Sequence, residues 1–195
     1  MHGLVNRAIQ SFVTDCYGIG QWKAAAKQAD AGVIEFEAMW VYEDALTPRL
    51  LNAVCDVLDR PYEELLEDIG NYLVSHPNLQ SLRRLLRFGG VDFVEFLHSL
   101  DDLPDRARLA VSDLDLPRLE LREHSPFRYS LRCDGLVVGC GHLLTGVLRA
   151  MADDYGALVF LEYEGSHDGV EVVAIALLET DFAEDRGFEL ATGVQ

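Results

Sequence analysis

The chain has 195 residues, of which 49% are hydrophobic and 25% charged, and its formal net charge is −17. This is the composition of a soluble globular chain with a sizeable core and one domain's length. Its acidity speaks against nucleic acid and anionic membrane surfaces as partners. No apolar run approaches the ~20 residues of a membrane span. The opening Met1-His2-Gly3-Leu4-Val5-Asn6 lacks the basic and apolar regions of a signal peptide, so a cytoplasmic location is expected.

The N-terminal part reads as helical. Leu4, Ala8, Ile9, Phe12 and Val13 recur at helical spacing, and Gly18 and Gly20 then interrupt the pattern. Trp22 to Ala29 predicts a short second helix. Thr47-Pro48 reads as an N-cap followed by proline at the first helical position. The helix it opens carries Leu50, Leu51, Val54, Val57 and Leu58. Arg60-Pro61-Tyr62-Glu63-Glu64 opens another, with two acids suited to the positive end of the helix dipole. His76-Pro77-Asn78 is a break. Leu79 to Phe88 and Val91 to Leu103 read as two further helices separated by Gly89-Gly90.

After Asp113 the period changes from 3.6 toward 2. Leu119 to Arg122 and Phe127 to Arg132 alternate as strands do, and Leu136 to Met151 predicts a helix with small residues. Leu158 to Tyr163 and Val170 to Leu178 are two strong strands joined by a turn-rich segment. Helices first and antiparallel strands later indicate an α+β fold with a sheet of about four strands. One domain is expected over residues 1–180, with a helical lobe to about residue 60 and a sheet-bearing lobe beyond it. Residues 181–195 are expected to form a loosely ordered tail.

Cys16, Cys55, Cys133 and Cys140 contain no CxxC pair, so a zinc site is not expected. In a reducing compartment they read most simply as free thiols. Nine of the sixteen basic residues lie between Arg83 and Arg132, a local positive region that could bind a small anion or simply be a solvated face. No motif points to catalysis. Glu63-Glu64 and Asp101-Asp102 are adjacent pairs that diverge on a helix, and GxSxG, HExxH and a phosphate-binding glycine loop are absent.

Several segments, taken in order and spacing, resemble the haem nitric-oxide/oxygen-binding (H-NOX, or HNOB) sensor family. They are the opening Met1 to Asn6, Trp22, Leu58-Asp59-Arg60-Pro61-Tyr62-Glu63-Glu64 with Glu67 and Gly70, and Phe96-Leu97-His98-Ser99-Leu100-Asp101-Asp102-Leu103-Pro104. Leu116-Pro117-Arg118-Leu119 and Arg128-Tyr129-Ser130-Leu131-Arg132 complete the set. The likeness covers nearly the whole chain.

The resemblance implies haem as cofactor and a diatomic gas as signal. It also implies a separate signalling partner, such as a histidine kinase or a cyclic-dinucleotide enzyme. In that register Pro104 stands where the family has its iron-ligating histidine. A proline nitrogen is an amide without a usable lone pair, so haem binding is expected to be altered or lost. Pro117 would contact the macrocycle and Val5 would line the distal pocket, although a core role for Val5 is equally natural. Arg128, Ser130 and Arg132 match the family's propionate-gripping motif, with arginine in place of its tyrosine. Being alternate strand residues, they share one face.

Two histidines remain as candidates for iron. His98 lies six residues before Pro104, about 120° off that helical face, and His142 lies on the later helix that lines the family's distal side. Each is also readable as a surface or packing residue, and the cysteines likewise. The alternative to a haem sensor is a cofactor-free regulatory module on the same fold, or one that binds another carboxylated apolar ligand.

Overall fold

The computed structural model describes residues 1–135 and 137–179. The expected tail over 181–195 lies outside the described residues. Among the described residues there are eight α-helices: α1 (Gly3–Tyr17), α2 (Ile19–Gln28), α3 (Leu46–Leu58), α4 (Tyr62–Ser75), α5 (Gln80–Arg87), α6 (Phe93–His98), α7 (Leu103–Ala110) and α8 (Cys140–Tyr155). Four strands, β1 (Arg118–Ser125), β2 (Arg128–Asp134), β3 (Leu158–His167) and β4 (Val170–Glu179), form one antiparallel sheet in the order β1-β2-β4-β3. The α+β class and the antiparallel sheet are as the change of period indicates.

Apolar residues gather in two buried clusters. Trp22, Leu50, Leu65 and Ile69 belong to the first, built from α1 to α4. Phe96, Leu97, Leu131, Leu148, Met151 and Ile175 belong to the second, where α6, α8 and the inner face of the sheet meet. Helix α4 serves both, sending Leu65, Leu66, Ile69 and Tyr72 into the first and Val74 into the second.

Helices α4 and α8 touch backbone to backbone. A Cβ at Gly70 would overlap the carbonyl of Leu143, and one at Gly146 would overlap the carbonyl of Glu67. Gly146 of α8 permits this approach, whereas Gly141 lies against Tyr163 and Glu171.

Several local expectations are corrected. Thr47 does not cap α3, which begins at Leu46. Its hydroxyl is buried and donates to Asn6 Oδ1 at 2.6 Å, tying α3 to α1, so it is not available at the helix end. The helix expected over Val91–Leu103 is two, because α6 ends at His98 and a turn precedes α7. Ser99 Oγ donates to the Phe96 carbonyl at 2.7 Å, and Arg106 donates to the Ser99 carbonyl at 2.9 Å. Pro104 lies in the first turn of α7, where a missing N–H costs nothing. It opens a helix and does not close one.

Helix α8 starts at Cys140, because Gly139 takes a left-handed φ of 90° just before it. Cys133 and Cys140 are not free thiols but a disulfide with Cα atoms 6.7 Å apart. The short connection from β2 to α8 brings the end of the strand against the start of the helix. Cys16 and Cys55 are free.

Five tyrosines have hydroxyls pushed above the ordinary value, with burial the first cause at each: Tyr62, Tyr72, Tyr129, Tyr155 and Tyr163. Tyr72 in addition donates to Asp15 Oδ2 at 2.7 Å. The fold thus favours the neutral phenol. That contribution is complete below the ordinary value of 10.0 and is lost as pH climbs above it. Ultraviolet titration is expected to show most tyrosines ionising late, together with alkaline unfolding. Tyr72→Phe is expected to remove part of the alkaline dependence.

Candidate functional site

The α6–α7 turn, helix α7 and the segment leading into β1 enclose a groove of about 580 Å³. Pro104 and Pro117 both line it, so the structure brings these two sequence-predicted residues together. The lining also carries five carboxylates, Asp101, Asp105, Asp115, Glu120 and Asp134, against the two guanidiniums of Arg108 and Arg118. The carboxylates are partly engaged. Asp101 Oδ1 accepts from the Leu121 amide at 2.7 Å, and Asp105 pairs with Arg108 at 3.3 Å. Val5 is half-buried on α1 and is not part of this lining.

Arg128, Ser130 and Arg132 share the outer face of β2, away from α8, while Tyr129, Leu131 and Cys133 point into the second core. Ser130 is buried, and its Oγ is 2.8 Å from His124 Nε2. Arg132 Nε lies 3.4 Å from Glu120 Oε2, and Arg122 Nε reaches Glu120 Oε1 at 2.9 Å. The hydrogen bond from Arg122 holds the Glu120 carboxyl below the usual range, helped by the charges of Arg122, Arg132 and Arg118. Arg128 is exposed. Glu120 is thus the nearest anion to this set, and none of the three residues lines the Pro104 groove.

The candidate histidines lie elsewhere. His98 is exposed on α6, with Nε2 3.9 Å from Glu123 and its ring edge-on to Tyr129. His142 on α8 stacks on Tyr163 with ring centres 4.0 Å apart, and its Nδ1 lies 3.5 Å from Glu67 Oε1. Neither lines the groove. Among the described residues no group of three or more His, Cys, Asp or Glu side chains is arranged to hold a metal ion.

One residue that sequence reasoning missed is Glu171. It is buried, and its carboxylate accepts from the amides of Gly139 at 2.6 Å and Gly141 at 2.9 Å. It takes the place of an N-cap for α8, a favourable position for an anion at a helix N-terminus. The signal was present: Glu171 has the same parity as Val173, Ile175 and Leu177, so strand alternation points it inward.

A family model described as Haem-NO-binding (HNOB) matches residues 2–163. The chain belongs to the Haem-NO-binding family. It is 28% identical over 161 residues to soluble guanylate cyclase gcy-35 of Caenorhabditis elegans, a match covering 78% of this chain and 22% of that protein. Soluble guanylate cyclase 89Db of Drosophila melanogaster is 20% identical over 170 residues, covering 84% of this chain and 24% of that one. The chain therefore spans less than a quarter of the length of these relatives.

Among solved structures, the Fe(II) unliganded H-NOX protein from K. algicida superposes with a TM-score of 0.78 at 17% identity, covering 93% of this chain and 99% of that one. The H-NOX protein from S. oneidensis in the Fe(II)NO state gives 0.74 at 16% identity, covering 92% and 100%. The Haem-NO-binding fold expected from the sequence is thus the observed one. Among the described residues no helix is long and apolar enough to cross a membrane.

The groove beside Pro104 offers no donor nitrogen on that residue, and its carboxylate-rich lining opposes the two negative propionates of a porphyrin. The serine and one arginine of the expected propionate grip already have partners in His124 and Glu120.

Proposed function

We propose that this chain is a regulatory module on the Haem-NO-binding fold that has given up histidine-ligated haem and acts on a separate signalling protein. Pro104 carries the reading. It stands where the family resemblance places the iron ligand, and it sits in the first turn of α7 at the wall of the acidic groove. A histidine kinase or a cyclic-dinucleotide enzyme is the class of partner that accords with the family. The net charge of −17 favours a protein partner over nucleic acid, and a cytoplasmic location goes with such a role.

The visible spectrum of the purified chain, produced with haem supplied, tests this. No ferrous five-coordinate histidine-haem band is expected from the natural sequence. Pro104→His would place an imidazole at the groove wall without breaking α7, since histidine is tolerated in a first helical turn. That variant is expected to gain a haem band that the natural chain lacks. A stoichiometric five-coordinate histidine spectrum in the natural chain would overturn the reading. A folded Pro104→His protein with no gain would show that the groove is not the remnant of a haem site.

A further inference from the structure

The connection between α2 and α3 sorts its apolar residues into two sets. Phe36 is buried, with its ring edge-on to those of Trp22 and Tyr42. Met39, Trp40 and Val41 face outward and remain 73%, 65% and 66% exposed. Three consecutive large apolar side chains in water are unlike the singly scattered ones of an ordinary surface. Tryptophan and methionine are also among the side chains enriched where proteins meet.

The backbone that carries these three is tied down. The Gly3 amide donates to the Trp40 carbonyl at 2.7 Å, and the Tyr42 amide donates to the Met1 carbonyl at 2.9 Å. The Trp40 amide donates to the Glu37 carbonyl at 3.2 Å. Further back, Phe36 N–H donates to Gln10 Oε1 at 2.9 Å, and Trp22 Nε1 donates to the Ile34 carbonyl at 2.7 Å. A Cβ at Gly3 would overlap the carbonyls of Glu37 and Trp40, so α1 and the loop are fitted together without slack. The exposed side chains are therefore held in place before anything binds, which lowers the ordering cost of association.

The charge around them is of one sign. Between Lys27 and Arg49 the sequence has five acids, Asp30, Glu35, Glu37, Glu43 and Asp44, and no lysine or arginine. Arg49 lies 3.5 Å from Glu43, and the Met1 amine takes Asp44. Glu35 and Glu37 are exposed and have no cationic partner among the described residues. A second copy of this chain would set acids against acids, and an anionic bilayer would be repelled in the same way. A cationic protein surface with an apolar centre answers both features.

We propose that Met39, Trp40 and Val41 are the anchor of a docking surface for a partner segment that carries an apolar stripe flanked by lysines or arginines, with Glu35 and Glu37 receiving its charges. Basic amphipathic helices are the commonest segments of that chemistry. The proposal rests on the preceding reading only in requiring a separate protein partner, and it is independent of what the Pro104 groove holds.

The two tryptophans make the test direct. Trp22 is fully buried, so a change in emission on binding reports Trp40. The probes are synthetic helices of about 14 residues, roughly four turns: one of leucine and lysine, one of leucine and glutamate, and one of serine and lysine. The leucine–lysine helix is expected to shift the emission of the full chain to the blue saturably and to shield Trp40 from acrylamide. The other two are expected to do neither. With a fluorescent leucine–lysine helix read by anisotropy, Trp40→Ala should weaken binding about tenfold or more, as removal of a central aromatic anchor does. Glu35→Lys with Glu37→Lys should weaken it too and let the leucine–glutamate helix bind. Phe127→Ser, at an exposed apolar residue elsewhere, should change nothing. All these positions are exposed, so the variants are expected to fold, which circular dichroism checks. Binding that ignores Trp40→Ala, or falls equally in Phe127→Ser, would overturn the proposal. Equal binding of the serine–lysine helix would reduce the effect to net charge and overturn it as well. So would a blue shift given by phosphatidylcholine vesicles but not by the helix, or one that grows with protein concentration alone. None of these outcomes bears on the haem spectrum, so the two readings fail separately.

Discussion

Gly146→Ala is expected to destabilise the protein by about 3 kcal/mol or more, at the upper end of overpacking costs. The added methyl would meet the backbone carbonyl of Glu67, and backbone on a packed helix cannot turn aside as a side-chain tip can. Gly70→Ala meets the Leu143 carbonyl in the same way and should cost a similar amount. The two changes act at one helix crossing, so the double variant should lose less than the sum of the singles. Gly20 on α2 is the control. A Cβ there meets nothing within 4 Å, and Gly20→Ala should gain up to ~1 kcal/mol from helix propensity. Urea unfolding followed by circular dichroism measures all four.

Removal of the Glu171 carboxylate should have an effect of comparable size. Glu171→Ala leaves the amides of Gly139 and Gly141 buried without an acceptor and is expected to cost about 3 kcal/mol, the scale for a buried hydrogen-bonded charge. Glu171→Gln keeps the shape and one acceptor oxygen and should cost less. An independent readout comes from Tyr163. Burial is the first cause of its raised value, but the charge of Glu171 is the next. Its titration should therefore move down, toward 10.0, in Glu171→Ala. If Tyr163 titrates at the same pH in both proteins, the carboxylate is not acting on it electrostatically.

What could be read from the sequence follows from how far apart the interacting residues lie. Periodicity and glycine breaks located α1, α2 and α4 closely, because those signals are local. Alternation located all four strands, although their ends moved by a few residues. The unrecognised features depend on partners distant in the chain. Thr47 looks like a cap until Asn6, 41 residues away, takes its hydroxyl. Glu171 becomes a cap for α8 only because β4 runs beside Gly139, 32 residues earlier. The α6–α7 break is of a different kind. Proline is compatible with both the end and the first turn of a helix, and the Ser99 and Arg106 bonds that fix the turn have no sequence signature. At the candidate site, alternation correctly put Arg128, Ser130 and Arg132 on one face. Alternation in β1 also offered Glu120 as a neighbour, but which strand would lie beside β2 was a matter of topology.

The bond from Asp101 to the Leu121 amide bears on how the molecule behaves in a crowded solution. Strand β1 is one border of the sheet, and an open border is a template on which a strand from another molecule can add. The Asp101 carboxylate occupies one of the amides that such a strand would need, and the register slips between Glu123 and Ser125 further along. The opposite border, β3, breaks its own regularity between Tyr163 and Gly165, where the glycine takes a φ of 102°. With a blocking side chain and a bulge on one border and a bulge on the other, neither offers a long flat ladder. Sheet-to-sheet growth, the first step toward fibrils, is thus disfavoured by the sheet's borders, and the molecule's strong negative charge works in the same direction.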